Sequence, residues 1–230
     1  MNESDSGRGL EVWRVDLDEH VGFDLLSSEE RARADRFVRE AKRHEFTVAR
    51  SALRAVLAEA LGRDPREISF GYGEHGRPEL EDGGSLNFNL SHSSGMALIA
   101  VGETSQLGVD VEERQDGRPL GRLAQRFFSH GEILEYRSFP ESEAVDVFYR
   151  GWTRKEAYLK AWGTGLTFSS RGFSLSFDRD ECRVVETGMP GDDGRDWSFC
   201  DLDVGASHAA CVCWRGAVPG LVPNLRLFDP

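Results

Sequence analysis

The sequence has few lysines and no net basic charge, and this shortage narrows the classes of partner that the protein can bind. Lysine occurs only at Lys42, Lys155 and Lys160 among 230 residues, and the formal net charge is −12. Proteins that bind nucleic acids carry broad basic surfaces, so this balance argues against a nucleic acid as the main partner. A small anionic ligand stays possible, because it needs only a local basic cluster.

The chain also lacks long apolar runs and any C-x-x-C pair of cysteines. No run approaches the ~20 apolar residues that a membrane span needs, and the polar N-terminus has no signal-peptide pattern. All four cysteines lie at or beyond position 182, without a C-x-x-C pair. Cys211 and Cys213 alternate with apolar residues, which favours a buried strand with reduced thiols over a metal site formed with His208. We therefore expect a cytoplasmic protein with no membrane partner.

Hydrophobic periodicity and turn signals predict an α+β fold. The predicted helices cover a stretch from Ser27 to Leu61 that breaks near Ala41, and then 120–128, part of 132–138, and 146–162. The predicted strands cover 11–16, 68–70, 86–90, 97–101, 107–111, 173–177, 182–185, 197–202 and 209–214. Residues 71–84 are predicted as a loop, and the tail from Pro219 is expected to pack loosely.

The two halves of the chain resemble each other. Each contains a helix closed by glycine, short strands, and a Ser-His pair followed by a hydrophobic strand, at Ser91-His92 and at Ser207-His208. The repeat is weak by identity, and chance is the alternative. A true repeat predicts two pseudo-symmetric α+β subdomains, residues 1–107 and 108–230, with the active site in the cleft between them.

The sharpest local feature is the segment Gly108-Val109-Asp110-Val111-Glu112. On a strand, Asp110 and Glu112 project to the same face, about 7 Å apart. Two neighbouring carboxylates repel each other unless a cation lies between them, and such oxygen ligands suit Mg²⁺. An acidic strand end that meets solvent is the alternative for this pattern taken alone.

A second feature lies on the predicted helix over 146–162. Trp152, Glu156 and Lys160 follow each other at i, i+4 and i+8, so they share one helix face. A Glu–Lys pair at this spacing is often only a surface ion pair. The tryptophan at the head of this stripe favours a face turned inward, where the carboxylate and the ammonium need partners.

Arginines recur at helical spacing earlier in the chain. A continuous helix would line four of them along one side: Arg36, Arg43, Arg50 and Arg54. Arg33 precedes this series. A solvated face interleaved with acidic residues is the alternative interpretation.

Two further segments have groups that can hold an anion. In Gly76-Arg77-Pro78, the glycine allows the backbone to approach a ligand closely. Ser91 and His92 stand at a strand end, where hydroxyl, imidazole and N–H groups can bind an anion. Ser91 lacks the G-x-S-x-G surroundings of one class of serine nucleophile, and a structural histidine is the ordinary alternative for His92.

Taken in order, these segments resemble the 4′-phosphopantetheinyl transferase superfamily, in its longer pseudo-dimeric type typified by the surfactin-synthetase activator. The blocks that carry the resemblance are Gly76-Arg77-Pro78, Phe88 to Ser93, Gly108 to Glu112, Arg126-Phe127-Phe128, Trp152 to Lys160 and Gly163-Thr164-Gly165-Leu166. The resemblance implies an enzyme that moves the phosphopantetheine group of coenzyme A onto a serine of an apo acyl or peptidyl carrier protein and releases 3′,5′-ADP.

The resemblance also implies roles for individual residues. Asp110, Glu112 and Glu156 would bind Mg²⁺. The residues expected to contact coenzyme A are Arg33, Arg36, Gly76, Arg77, Pro78, Ser91, His92, Lys155 and Lys160. Glu30 stands where the family often has a basic residue, so the contact to the 3′-phosphate falls to Arg33 or Arg36. Glu132 matches a family glutamate near the metal.

The implied catalytic residues are Asp110, Glu112, Glu156 and Lys160. Glu156 would take the proton of the carrier's serine, and Lys160 would stabilise the departing 3′,5′-ADP. The segment 118–139 carries arginines at i, i+4 and i+8 and is predicted to dock an acidic carrier, with a plain amphipathic helix as the alternative. A chain that supplies both halves of its own cleft is expected to be a monomer.

Two other functions use the same features. A metal-dependent hydrolase of nucleotide pyrophosphates would need the three carboxylates but no surface for a carrier. A non-catalytic protein would bind coenzyme A or a carrier without turnover, although the complete set of acidic and basic residues disfavours this interpretation.

Overall fold

The computed structural model describes residues 9–18, 25–73, 76–82, 84–163, 168–216 and 221–229. These residues form five α-helices: α1 (Ser28–Ala34), α2 (Glu40–Leu61), α3 (Leu120–Phe127), α4 (His130–Ser138) and α5 (Ala144–Trp162). They also form the strands β1 (Glu11–Asp16), β2 (Phe70–Tyr72), β3 (Pro78–Leu80), β4 (Asn87–Ser93), β5 (Met96–Gly102), β6 (Leu107–Glu113), β7 (Ser174–Leu175), β8 (Val184–Glu186), β9 (Trp197–Asp201), β10 (His208–Arg215) and β11 (Asn224–Leu227). The predicted α+β class is confirmed.

The first sheet has the strand order β11-β1-β5-β4. Strands β1 and β4 run antiparallel to β5, whereas β11 lies parallel to β1, with Asn224 opposite Glu11. The guanidinium of Arg226 on β11 lies 3.8 Å from the ring centre of Trp13 on β1. The expectation of a loosely packed tail is therefore wrong for the described residues after Pro219, because they complete this sheet.

Strand β5 lies between two hydrophobic cores. Alternate residues such as Ala97 and Ile99 pack with α2, while Leu98 and Ala100 pack with residues of β6 and β10. The second sheet has the order β6-β10-β9, and its other face packs against α5. Both faces of β5 and β10 are thus covered, which explains the unbroken apolar character of these two segments.

Side chains of β4 bond to the backbone of β6 where the two sheets meet. The amides of Val109, Val111 and Glu113 donate to the side chains of Asn89, Ser91 and Ser93, at 2.9, 3.4 and 3.1 Å respectively. Both series have a spacing of two, so one face of β4 follows the edge of β6. We call this contact the β4–β6 seam. It joins strands from either side of the predicted boundary at 107/108.

The region from Ser27 to Gly84 differs from the prediction in two places. Helix α1 ends at Ala34 and α2 begins at Glu40, so the break precedes Ala41 and leaves Arg36 between the helices. The predicted single stripe of four arginines is therefore wrong. Residues 71–84 contain the hairpin β2–β3, whose strands of three residues are too short to show an alternating pattern.

Each half contains a long helix that ends at a glycine with positive φ: Gly62 at 65° after α2 and Gly163 at 72° after α5. The first sheet nevertheless draws β11 from the end of the chain, so it contains residues from both predicted subdomains. Pseudo-symmetry and the boundary at 107/108 stay predictions. Among the described residues, no helix combines the length and the apolar character that crossing a membrane would require.

Gly108 sets the distance between β6 and α5. A Cβ at this position would overlap the carbonyl oxygen of Ala157 and lie 2.5 Å from the amide nitrogen of Ala161. Both are backbone atoms, so the helix itself would have to move. We expect Gly108→Ala to lower the free energy of unfolding by about 1–3 kcal/mol, measured by urea denaturation.

The matched control is Gly121→Ala in α3. No atom lies within 4 Å of the Cβ position at Gly121, and alanine favours a helix over glycine. This variant should be as stable as the parent or more so. Unchanged stability of Gly108→Ala would contradict the close approach of β6 and α5.

Candidate active site

Two neighbouring carboxylates on β6 form the centre of the candidate site. Asp110 is 3% exposed, and its Oδ1 accepts hydrogen bonds from Ser91 Oγ at 2.9 Å and Lys160 Nζ at 2.7 Å. Its Oδ2 is buried and has no hydrogen-bond partner among the described residues. Glu112 is half-buried and accepts a bond from the indole N–H of Trp152 at 3.2 Å. Burial raises the pKa of both carboxyls, and the charge of Asp110 raises the pKa of Glu112 further.

The stripe on α5 faces these two carboxylates. Trp152 contacts Glu112, Lys160 contacts Asp110, and Glu156 lies between them on the same helix face. All three stripe residues are half-buried. Burial, and next the charge of Asp110, raises the pKa of Glu156 to about 7. The tryptophan at the head of the stripe thus faces inward, as predicted.

Asp110, Glu112 and Glu156 lie close to one another where β6 faces α5, a region that we call the acidic cleft, but they do not form a closed metal site. In the part of the chain that the structure describes, no three His, Cys, Asp or Glu side chains are placed to hold one ion, and Lys160 neutralises Asp110 instead. Two observations fit a cation: the buried Oδ2 of Asp110, which has no hydrogen-bond partner among the described residues, and the closeness of the three carboxyl groups, which with burial raises the pKa of Glu112 and of Glu156. Hard carboxylate oxygens suit Mg²⁺, and the magnesium site stays a prediction.

Lys155 does not face this cleft. Its side chain is 2% exposed, and its ammonium contacts both carboxylate oxygens of Glu132 at 2.7 Å and the carbonyl of Phe173 at 2.9 Å. Burial lowers the pKa of Lys155 to about 8, against the opposing charge of Glu132. Consecutive helix residues point about 100° apart, so the neighbour of Glu156 faces α4 and not β6.

Glu132 is fully engaged at the same place. Its carboxylate also accepts the backbone N–H groups of Ser129 and Leu175, at 2.7 and 2.8 Å. Two sequence expectations are corrected: Lys155 is not free to contact coenzyme A phosphates, and Glu132 does not lie with the carboxylates of β6. Together they form a buried ion pair that fixes α4 to α5.

A cavity of about 200 Å³ lies beside the cleft, between α1, α2, the hairpin β2–β3 and β4. Its charged and aromatic lining residues are Arg33, Phe46, Arg50, Tyr72, Arg77, Phe88 and His92, and Gly76 and Pro78 also line it. Arginines and aromatic rings suit the phosphates and the base of a nucleotide. Burial lowers the pKa of His92, against the charge of Glu45.

The cavity brings together most of the predicted coenzyme A contacts but not all of them. Ser91 alternates with His92 on β4, so its hydroxyl faces Asp110 on the other side of the strand. Arg36 is exposed and bonds to the carbonyl of Ala32 at 3.3 Å outside the cavity. Arg33 lines the cavity and Arg36 does not, and the contact to the 3′-phosphate stays a prediction.

Glu30 holds two of the predicted arginines in a buried cluster. Its carboxylate accepts Nε of Arg50 at 2.5 Å, Nε of Arg54 at 2.7 Å and the backbone N–H of Ser27 at 2.8 Å. Burial acts to raise the pKa of Glu30, but these bonds keep it below its usual value. The capping box Ser27-x-x-Glu30 is a sequence signal for a structural role of Glu30 at the start of α1, although it does not indicate the arginine partners.

Arg77 lines the cavity, yet most of its donors are already used. Its two terminal nitrogens donate to four backbone carbonyls, of Phe88, Leu107, Lys160 and Ala161, at 2.7 to 3.3 Å. One part of the predicted motifs, Thr164-Gly165-Leu166, lies outside the described residues.

An acidic cleft next to an arginine-lined cavity has groups that can hold a phosphorylated ligand together with a cation. Two family models match the chain: the 4′-phosphopantetheinyl transferase superfamily over residues 106–213, and 4′-phosphopantetheinyl transferase, N-terminal, over residues 12–104. The chain belongs to the 4′-phosphopantetheinyl transferase superfamily, as the ordered motifs predicted.

Three curated relatives illustrate the similarity. The 4′-phosphopantetheinyl transferase HetI of Nostoc sp. is 42% identical over 165 residues, which cover 68% of this chain and 70% of the relative. A 4′-phosphopantetheinyl transferase of Bacillus subtilis is 32% identical over 189 residues, 82% of this chain and 81% of the relative. The 4′-phosphopantetheinyl transferase Sfp of Bacillus subtilis strain 168 is 30% identical over 157 residues, 68% of each chain.

Glu132→Gln would leave the ammonium of Lys155 buried without a counter-ion. Because an unpaired buried charge is strongly unfavourable, we expect the free energy of unfolding to fall by about 3–5 kcal/mol, measured by urea denaturation. The control is Glu143→Gln, which removes a partner of Arg179, a side chain that is 58% exposed. That change should cost at most about 1 kcal/mol. Equal stability of the two variants would contradict the structural role of the buried pair.

Proposed function

We propose that this chain transfers the 4′-phosphopantetheine group of coenzyme A to a serine of an apo acyl or peptidyl carrier protein and releases 3′,5′-ADP. The observation that carries the proposal is the adjacency of two charged features. The carboxylates of β6 and α5 share one cleft, and the cavity with Arg33 and His92 lies next to it. Relatives named as 4′-phosphopantetheinyl transferases at 30–42% identity support the same reaction.

We further propose Mg²⁺ as the cofactor, held by Asp110, Glu112 and Glu156. The support is the buried Oδ2 of Asp110 without a partner and the oxygen-only donor set, which magnesium prefers. When bound, the ion neutralises negative charge on the pyrophosphate of coenzyme A.

The remaining chemistry falls to residues of the α5 stripe. The serine oxygen of the carrier forms a bond to the phosphorus next to pantetheine, and the bond from that phosphorus to the oxygen of 3′,5′-ADP breaks. Glu156 takes the proton of the serine. The side chain of Lys160 is 30% exposed, so its ammonium can face both Asp110 and the departing phosphate and stabilise the charge that develops there.

The surface next to Glu112 fits a carrier protein. A cavity of about 330 Å³ meets Glu112 and is lined by Arg118, Leu123, Arg126, Phe127, Phe148, Tyr149 and Trp152. Arginines beside apolar rings complement an acidic helix that also presents apolar side chains. We place carrier docking here, on α3, so that the acceptor serine lies near the carboxylates.

The cellular setting is part of the same proposal. The buried free thiols of Cys211 and Cys213 on β10 fit a reducing compartment such as the cytoplasm. The net charge of −12 disfavours a nucleic-acid partner. One chain contributes both the cleft and the adjoining cavity, which supports a monomer as the active unit.

The transfer is tested with an apo carrier, coenzyme A and Mg²⁺. Mass spectrometry should show that the carrier gains one phosphopantetheine mass, that chelation of the divalent ion prevents the gain, and that added Mg²⁺ restores it. A carrier whose acceptor serine is replaced by alanine is the control. Rapid release of 3′,5′-ADP without any carrier would instead indicate a pyrophosphate hydrolase. Binding of coenzyme A without turnover on any carrier would indicate a non-catalytic protein.

Glu156→Gln keeps the shape of the side chain and removes the proposed base. We expect kcat for carrier modification to fall about 100-fold or more, measured by steady-state kinetics. The control, Glu103→Gln, changes an exposed residue just after β5 and should leave kcat unchanged. A near-normal rate for Glu156→Gln would exclude Glu156 as the base.

A further inference from the structure

Arg77 connects elements from both halves of the chain. Its Nη1 donates to the carbonyls of Lys160 at 2.7 Å and Ala161 at 3.3 Å, in the last turn of α5. Its Nη2 donates to the carbonyls of Phe88 on β4 at 3.3 Å and Leu107 on β6 at 3.0 Å. One guanidinium therefore bonds to a helix end and to both strands of the β4–β6 seam.

The bonded carbonyls lie at places where small displacements matter. Leu107 precedes Gly108, where β6 and α5 approach so closely that no Cβ fits. Lys160 carries the ammonium that bonds to Asp110 and Ser91, at 2.7 and 2.6 Å. Arg77 thus bonds to the backbone of Lys160, and the side chain of Lys160 bonds to Asp110.

We propose that Arg77 is a positioning residue: it fixes the C-terminal turn of α5 against β4 and β6, and so keeps the ammonium of Lys160 on Asp110 and Ser91. The motif resemblance implied a contact to coenzyme A instead. The kinetic consequence of this inference rests on the proposed transferase function, whereas its structural consequence does not.

The chemistry of the side chain explains why arginine suits this task. A guanidinium presents its N–H groups in a rigid planar fork, while a lysine ammonium donates from a single point. Four carbonyls on three elements cannot all be reached from one such point. A cation at the end of α5 also complements the partial negative charge of the helix C-terminus.

The same geometry limits a contact to phosphate. Both terminal nitrogens of Arg77 are engaged, and among the described residues only its Nε has no hydrogen-bond partner. To bind a phosphate with both terminal nitrogens, Arg77 would have to break its hydrogen bonds to the carbonyls at the end of α5 and at the β4–β6 seam. Arg33 lines the same cavity and has no such bonds to α5.

The test compares Arg77→Lys with Arg33→Lys and Arg33→Ala in steady-state kinetics. For Arg77→Lys we expect kcat to fall about 10-fold, with KM for coenzyme A changed less than about two-fold. Arg33→Ala should raise KM for coenzyme A, with Arg33→Lys in between. A rise in KM of about 10-fold or more for Arg77→Lys, at unchanged kcat, would overturn the inference in favour of a ligand contact.

A double-mutant cycle separates positioning from a general loss of stability. If Arg77 acts through Lys160, Arg77→Lys should have little further effect on single-turnover rates in a Lys160→Met background. An equal loss in both backgrounds would contradict action through Lys160.

A measurement that does not depend on activity completes the test. Hydrogen exchange at the amide of Gly163, which caps α5 by donating to the carbonyls of Leu159 and Lys160, should be faster in Arg77→Lys and unchanged in Arg33→Lys. If the parent protein modifies no carrier, the proposed function is refuted, but this measurement still tests the positioning role of Arg77. Unchanged exchange in Arg77→Lys would refute that role.

Discussion

Strand β6 satisfies three of its amides with side chains of β4, and the active site depends on this seam. Ser91 shows how: its hydroxyl accepts the amide of Val111, donates to Asp110 and accepts the ammonium of Lys160. One oxygen thereby joins the two sheets and orients both a carboxylate and a cation. A backbone carbonyl in its place could accept the amide but could not donate to Asp110. The polar positions of β4 are therefore required by the fold and by the site together.

Buried charge explains which of the predicted residues stay available for a ligand. An ionised group can be buried only with partners, and Lys155 has Glu132, while Arg50 and Arg54 have Glu30. These contacts hold Lys155 and Arg54 within the fold, whereas Arg50 also lines the cavity beside β4. Asp110 is different, because one of its oxygens has no partner among the described residues. A buried oxygen without a hydrogen-bond partner lowers the stability of a fold unless a ligand bonds to it. Its presence at Asp110 therefore favours a role in binding over a role in stability.

Local pattern was enough to predict the class of the fold, the long helices and the carboxylate pair on β6. It failed where the outcome depends on contacts between distant segments: the pairing of β11 with β1, the short hairpin β2–β3, and the partner of Glu30. The motif around Glu156 shows the same limit within one helix. Helical spacing puts Lys160, but not Lys155, on the face of Glu156. The burial of Lys155 against Glu132 depends on the position of α4, which the local pattern does not predict.

The first half of the chain contacts Lys160 both at its backbone and at the end of its side chain. Its carbonyl accepts from Arg77 and its ammonium bonds to Ser91, while Asp110, on the second half, is its third partner. A lysine side chain has several rotatable bonds, so fixing its ammonium requires constraints on both the backbone and the tip. Residues from the hairpin β2–β3 and from β4 supply these constraints, although α5 and β6 supply the charges. The second half therefore carries the three carboxylates and Lys160, while Arg77 and Ser91 of the first half determine where Lys160 stands.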